Sequence, residues 1–197
     1  MQEEPHRDAR ALEFLRNRRS VPAAQLQPPG PTDEELRDIV ATAIRVPDHG
    51  KLTPWRLVAF TGDAGARYGE ALAALHAQVD PGVPEKKLAK DRERFAHSPA
   101  VLAVIARIDE HHPKIPAQEQ LLSAGCLAFN LLLAAQAAGF AAQWLTGWSC
   151  YDREAAKLLG LADQERAIAY IHIGSRGAEP PERNRPDPDQ ILAEWQG

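Results

Sequence analysis

Few of the residue types that build self-sufficient reactive centres are plentiful in this 197-residue chain. Only two cysteines occur, Cys126 and Cys150, and neither their number nor their spacing suggests a disulfide framework or a metal site. The adjacent histidines His111 and His112 lack a third ligand at a usable spacing, so no metal is expected. Positive charge is not in excess. The 23 Lys and Arg against 27 Asp and Glu leave a net charge of −4, which argues against a nucleic-acid partner held by bulk electrostatics. There is no GxGxxG and no GxxxxGK[ST], hence no Rossmann or P-loop signature. A GxSxG elbow and an HExxH pair are also missing. No two acids stand out as a general acid and base, so no catalytic side chain is assigned. The start MQEEPHRDAR lacks an apolar h-region, so no signal peptide is expected, and with so little cysteine the cytoplasm is the expected location.

What the chain does have is one long uncharged run within Gln118 to Gly147, QEQLLSAGCLAFNLLLAAQAAGFAAQWLTG. Leu122, Cys126, Phe129, Leu133 and Gln136 share one helical face, yet Leu121, Ala128, Leu132 and Ala135 leave almost no polar face opposite. A helix apolar on all sides is expected to be buried on all sides, which in a chain of this size suggests help from a second subunit. Cys126 reads there as a small hydrophobe. The run is long enough to span a membrane, but Ser123, Asn130 and Gln136 interrupt it and Ala outnumbers Leu. The reading is therefore a central helix with no membrane partner.

Around it, periodicity predicts a helix over 6–19 with Ala11, Leu12 and Leu15 as its stripe. A Pro-rich loop follows over 25–31. The Thr32 to Glu35 capping box opens a second helix reaching about Arg45. Strands are predicted over 55–61, 99–108, 140–145 and 166–174, with helices over 63–79 and 152–159. Residues 80–97 read as a solvated, partly helical excursion with no strong apolar stripe. The chain is expected to be one domain, 1–197, with an extended tail over 175–197. Alternation of strands and helices points to an α/β or α+β sandwich.

Two stretches collect ligand-like groups. Arg18 and Arg19 either complement a helix dipole or, with Ser20, match the oxygens of a phosphate. The loop VPDHGKLTPW offers His49, Lys51, Thr53 and Trp55 between regular elements, where binding groups concentrate. Trp144 and Trp55 could wall an aromatic ligand. Without a side-chain machine, the work would fall to an anionic cofactor.

RNRRS after a first helix, then VPDHGKLTPW, then SAGCLAFNLLLAAQAAGFAAQWLTG resembles the nitroreductase family of FMN-dependent flavoproteins, most closely its short-form NAD(P)H nitroreductases. The resemblance runs from about Leu12 to Pro188. It implies an α+β three-layer sandwich with a mainly antiparallel sheet, in an intertwined homodimer with FMN at the interface. By resemblance, Arg18, Arg19 and Ser20 hold the phosphate and ribityl chain. Arg45 and His49 reach the partner's flavin, and Trp144, Leu145 and Thr146 line the ring or phosphate. Ala134, Ala135, Gln136, Ala137, Ala138 and Gly139 mark where a nicotinamide approaches, and Arg183 and Arg185 are further phosphate ligands. Asn130 and Gln136 become interface contacts. The implied activity is ping-pong transfer of a hydride from NADH or NADPH, through flavin N5, to a small nitroaromatic, quinone or similar acceptor. Three positions depart from the pattern. Lys51 and Thr53 stand where flavin-edge contacts are usual, and Leu145 where the branch usually has an arginine. They favour the alternative, a flavin-binding protein of the same fold without reductase turnover.

Overall fold

Four apolar runs become the long strands of one sheet in the computed structural model, which describes residues 7–197. They are β2 (Trp55–Thr61), β3 (Ala100–Arg107), β4 (Ala141–Leu145) and β5 (Glu165–Arg176). A fifth, β1, is only Leu26–Gln27. All pairings are antiparallel. β5 lies at the centre with β3 on one edge, and its other edge takes β4 along Tyr170 to Gly174 and β1 at Ser175 and Arg176. The expected loop at 25–31 thus begins with a strand, too short to show a period. Its pairing draws the first two residues of the expected tail into the sheet.

β3 is buried at every residue but its last, as a strand covered on both faces requires. Leu102 and Val104 point to a core shared with α2 (Asp33–Ala43) and α5 (Ala117–Ala137). Val101, Ala103 and Ile105 point to a second core under α3 (Ala64–Val79) and α4 (Glu85–Ala96). The architecture is the expected α+β sandwich of three layers.

α2 starts at the capping box, where the Glu35 carboxylate accepts from the Thr32 N–H at 2.8 Å and Thr32 Oγ1 accepts from the Glu35 N–H at 3.2 Å. α4 corrects the expectation of a featureless excursion. Leu88, Asp91 and Phe95 form a buried stripe, hidden from periodicity because its middle member is charged. Asp91 accepts from His76 Nδ1–H at 2.6 Å and from Trp148 Nε1–H at 3.1 Å, which compensates its burial. The two helices touch backbone to backbone. A Cβ on Gly65 would collide with the Phe95 carbonyl oxygen, and one on Gly69 with that of Arg92. Phe95 then packs edge-on to Tyr68 and Tyr170, at 4.8 and 4.9 Å between ring centres.

α5 is long and apolar enough to cross a membrane, yet half of that stretch is buried inside this chain. Ala124, Leu127, Ala128, Leu131 and Ala135 are fully enclosed, whereas Leu122 and Phe129 are 59% and 45% exposed and Cys126 is exposed. Burial on all sides therefore does not hold within one chain, because the sheet and α2 cover only one side of the helix. Its polar residues are used internally. Asn130 donates to the Ala43 carbonyl oxygen at 2.9 Å, satisfying the end of α2, and Gln136 donates to that of Arg19 at 2.8 Å. Each thus has one internal bond besides its expected role as a contact between subunits.

The first helix, α1 (Ala9–Arg16), is shorter than expected and buries nothing. Leu12 and Leu15 of its stripe are exposed; residue 6 of the expected span lies outside the described residues. After α6 (Arg153–Leu158) and β5, the tail carries one short helix, α7 (Pro188–Ile191). Ile191, Leu192 and Trp195 are exposed there.

Candidate functional site

Arg18 and Arg19 follow α1 directly, and Gln136 near the end of α5 holds the backbone between them and β4. Arg18 Nη1–H donates to Ser20 Oγ at 3.3 Å. The chain then runs beside the outer edge of β4. Val21 N–H donates to the Ala142 carbonyl oxygen at 3.1 Å, and Ala23 N–H to Gln143 Oε1 at 2.6 Å. The tail folds back onto this place. Glu182 ion-pairs with Arg19 and lies 3.8 Å from Arg185. Partial burial lowers the Arg18 pKa, and the nearby guanidiniums of Arg185, Arg19 and Arg183 lower it further. Four arginines from opposite ends of the chain thus converge with one carboxylate among them. Like charges gather at that density where an anion is to be held. The arrangement fits a phosphate group, with the Ser20 hydroxyl as an added donor.

Beside the cluster, a groove of about 480 Å³ is lined by Phe14, Asn17, Arg18, Gln136, Gly139 and Phe140, among others. Ala134 and Ala135 face the core, so a ligand at this helix end meets only Gln136 to Gly139. Gln136 Oε1 is buried there without a hydrogen-bond partner.

β4 separates the aromatic candidates by its two-residue period. Trp144 packs on the α2 and α5 side. Leu145 lines a cavity of about 290 Å³ with α4. The guanidinium beside that cavity is Arg94, whose Nη1–H donates to the Thr146 carbonyl oxygen at 2.9 Å. A Cβ at 147 would strike the Arg94 guanidinium, so a larger residue there would push this flexible side chain away from Thr146. So where Leu145 lacks a charge, α4 brings one.

Arg45 and His49 lie elsewhere. His49 Nδ1–H donates to Glu119 Oε2 at 2.7 Å, and Ser123 donates to the Pro47 carbonyl oxygen at 2.8 Å while accepting from Trp55 Nε1–H at 3.1 Å. Trp55 is thus half-buried, packed against the core beside this loop. Their loop sits over the start of α5 and the arginines near its end. From Glu119 to Gln136 the helix rises about 25 Å, so one chain does not bring the two groups together. The loop is strained. Lys51 and Thr53 have φ of 57° and 52°, a costly conformation for β-branched Thr53. Thr53 N–H donates to Asp48 Oδ2 at 2.9 Å, and Asp48 Oδ1 is buried without a partner. Strain and an orphaned acceptor together make this loop a candidate for function.

Sequence reasoning missed His172. Its ring is fully buried on β5, hydrogen-bonded through Nδ1 to Ser98 Oγ at 2.9 Å. Burial first, then the charge of Arg94, lowers its pKa to about 3. Its place in a β-rich run gave the only available signal, an inward position.

The sequence profile of the nitroreductase family matches residues 15–175. A Haemophilus influenzae protein named "Putative NAD(P)H nitroreductase" is 38% identical over 174 residues, covering 88% of this chain and 91% of its own. Among solved structures, a nitroreductase-like family protein from Bacillus cereus superposes with a TM-score of 0.81 at 19% identity, covering 98% of this chain and all of that one. A mutant of NfnB, an FMN- and NADPH-dependent nitroreductase from "sphigopyxis sp. strain HMH", gives 0.72 at 20% identity, covering 95% and 99%.

Proposed function

Since the chain belongs to the nitroreductase family, we propose that it is an FMN-dependent NAD(P)H oxidoreductase acting on nitroaromatics, quinones or similar electron-poor acceptors by a ping-pong mechanism. The observation that carries this reading is the gathering of Arg19, Arg183 and Arg185 near Arg18, which is itself hydrogen-bonded to Ser20. When bound, FMN supplies the two-electron carrier, taking a hydride from the nucleotide at N5 and giving it up to the acceptor. For a nitro group the balance is one NAD(P)H and one proton consumed, with nitroso product and water released.

The residues do the placing. The arginines and Ser20 hold the phosphate, and Thr146 with Leu145 meets the ring at the far end of β4. That strand spans about 13 Å over its four steps, a separation that an elongated ligand bridges from one group to the other. Gln136 to Gly139 border the path a nicotinamide takes.

The site is completed by a second copy. A two-fold axis across α5 runs the partner helix in reverse, which brings the partner loop bearing Arg45 and His49 toward the arginine end. The open stripe Leu122, Cys126, Phe129 and Leu133 is the apolar surface for that contact, and the exposed Ile191, Leu192 and Trp195 offer a second one. The single domain of 1–197 with its tail is then the protomer, working in the cytoplasm where NAD(P)H is available. Anaerobic mixing of FMN-loaded protein with NADH or NADPH tests the activity. Bleaching of the visible flavin absorbance, restored by a nitroaromatic or quinone, is expected. If neither nucleotide bleaches it, the reductase reading falls. The second reading, a flavin binder without turnover, rests on Lys51, Thr53 and Leu145 and predicts that outcome.

A further inference from the structure

The cavity at Leu145 is built differently from the rest of the candidate site. Ala23 and Leu145 form an apolar floor, and Lys90, Glu93, Arg94 and His97 form a charged wall. The four wall residues are spaced i, i+3, i+4 and i+7, so one face of α4 presents them all. His97 is turned by its own helix, its Nδ1–H donating to the Glu93 carbonyl oxygen at 2.6 Å. Arg92, which is off this wall, is paired with Glu70 and Glu85. No acid is ion-paired with Lys90 or Arg94 among the described residues. Arg94 commits one N–H to Thr146 and keeps the rest of its five donors. At about 290 Å³ the cavity accepts one aromatic ring and one substituent, below the usual range for drug-sized ligands.

We propose that this cavity is an acceptor subsite selective for small anionic aromatics, with Lys90 and Arg94 holding a carboxylate while the ring lies on Ala23 and Leu145. The proposal rests on the reductase reading only for the chemistry after binding. The nitro group of a nitrobenzoate would take two electrons from one NAD(P)H and two protons, one from the solvent, releasing water and leaving nitrosobenzoate. The carboxylate stays unchanged and serves recognition alone. The backbone closeness of α3 and α4 at Gly65 and Gly69 makes the wall rigid, and a rigid charged wall discriminates by charge at little ordering cost.

The test compares 4-nitrobenzoate with its neutral methyl ester on the FMN-loaded protein. Quenching of tryptophan fluorescence reports binding without turnover, and steady-state rates with NAD(P)H report kcat/KM. The acid should bind about fivefold to tenfold tighter than the ester at low salt, with the preference shrinking as salt rises. Lys90→Gln should remove most of that preference and leave ester binding unchanged. Arg94→Lys should keep it, which a purely structural role at Thr146 does not require. Equal binding of acid and ester by the native protein overturns the proposal, as does a Lys90→Gln variant weakened alike for both. A failure of NAD(P)H to reduce the flavin overturns the reductase reading instead, since the quenching titration does not depend on reduction.

Discussion

The Glu182 carboxylate is ion-paired with the Arg19 guanidinium, joining the tail to the turn after the first helix. It lies within a cluster where Arg18, Arg183 and Arg185 also gather. That single acid offsets part of the repulsion among four cations in the absence of a ligand. It also stands where an incoming phosphate must form its own contacts.

Replacing it should therefore raise affinity for the anion. Glu182→Gln is expected to tighten FMN binding by about fivefold to tenfold, the size of one charge pair at a partly exposed site. Flavin fluorescence titration reads this directly. Arg18→Ala should act the opposite way. A looser complex from Glu182→Gln would show that the carboxylate organises the arginines instead of competing with phosphate.

Two buried groups set the response to acid. His172 has a folded pKa of about 3, lowered by burial, so below pH 6.5 the unfolded chain takes up a proton that the folded chain refuses. Stability present above that value is lost as pH falls toward 3, by up to about 1.4 kcal/mol per pH unit. Glu165 is held at about 2, chiefly by Arg56, whose Nε–H and Nη2–H donate to it at 2.7 and 2.8 Å. Its contribution is lost from pH 4.5 down to 2. Urea midpoints between pH 7 and pH 4 should fall steadily, and His172→Gln should flatten the part between 6.5 and 5.

An open apolar stripe on α5 makes assembly easy to probe. Phe129→Asp puts a charge on that face, where burial against a second copy would cost several kcal/mol. Sedimentation should then shift from dimer to monomer, with loss of retained FMN because the loop carrying Arg45 and His49 no longer arrives. A monomeric native protein, or an undisturbed dimer in the variant, would contradict the proposed interface.

Helix α4 depends on small residues opposite it. Gly69→Ala places a methyl group against the Arg92 carbonyl, and overpacking of this kind costs about 1–3 kcal/mol. A thermal melt should show the drop, accompanied by weaker discrimination between charged and neutral acceptors as the wall of Lys90 and Arg94 moves outward.

Short-range order was legible in the chain. The Thr32 to Glu35 box, the run PAVLAVIARI and the helix before Gly139 carry their signals within a few residues, and each forms near its expected bounds. α4 was not legible as a packed helix, because a buried carboxylate only makes sense beside His76 and Trp148, which are distant in sequence. The two residues of β1 carry no period at all; they are a strand only because the edge of β5 is there to pair with them.

For the candidate site the division is similar. Arg18, Arg19 and Ser20 stood out from their types and spacing, and the resemblance added Arg183 and Arg185. That these five converge depends on the tail folding back across the molecule, a contact no local pattern encodes. The sequence by itself determined that α5 would form and would need burial, because its composition leaves no polar face. Only the tertiary structure decided which side is covered. The sheet and α2 have one surface to offer, so the stripe through Leu122 and Phe129 is left open, and Arg94 reaches Leu145 through the close approach of two other helices.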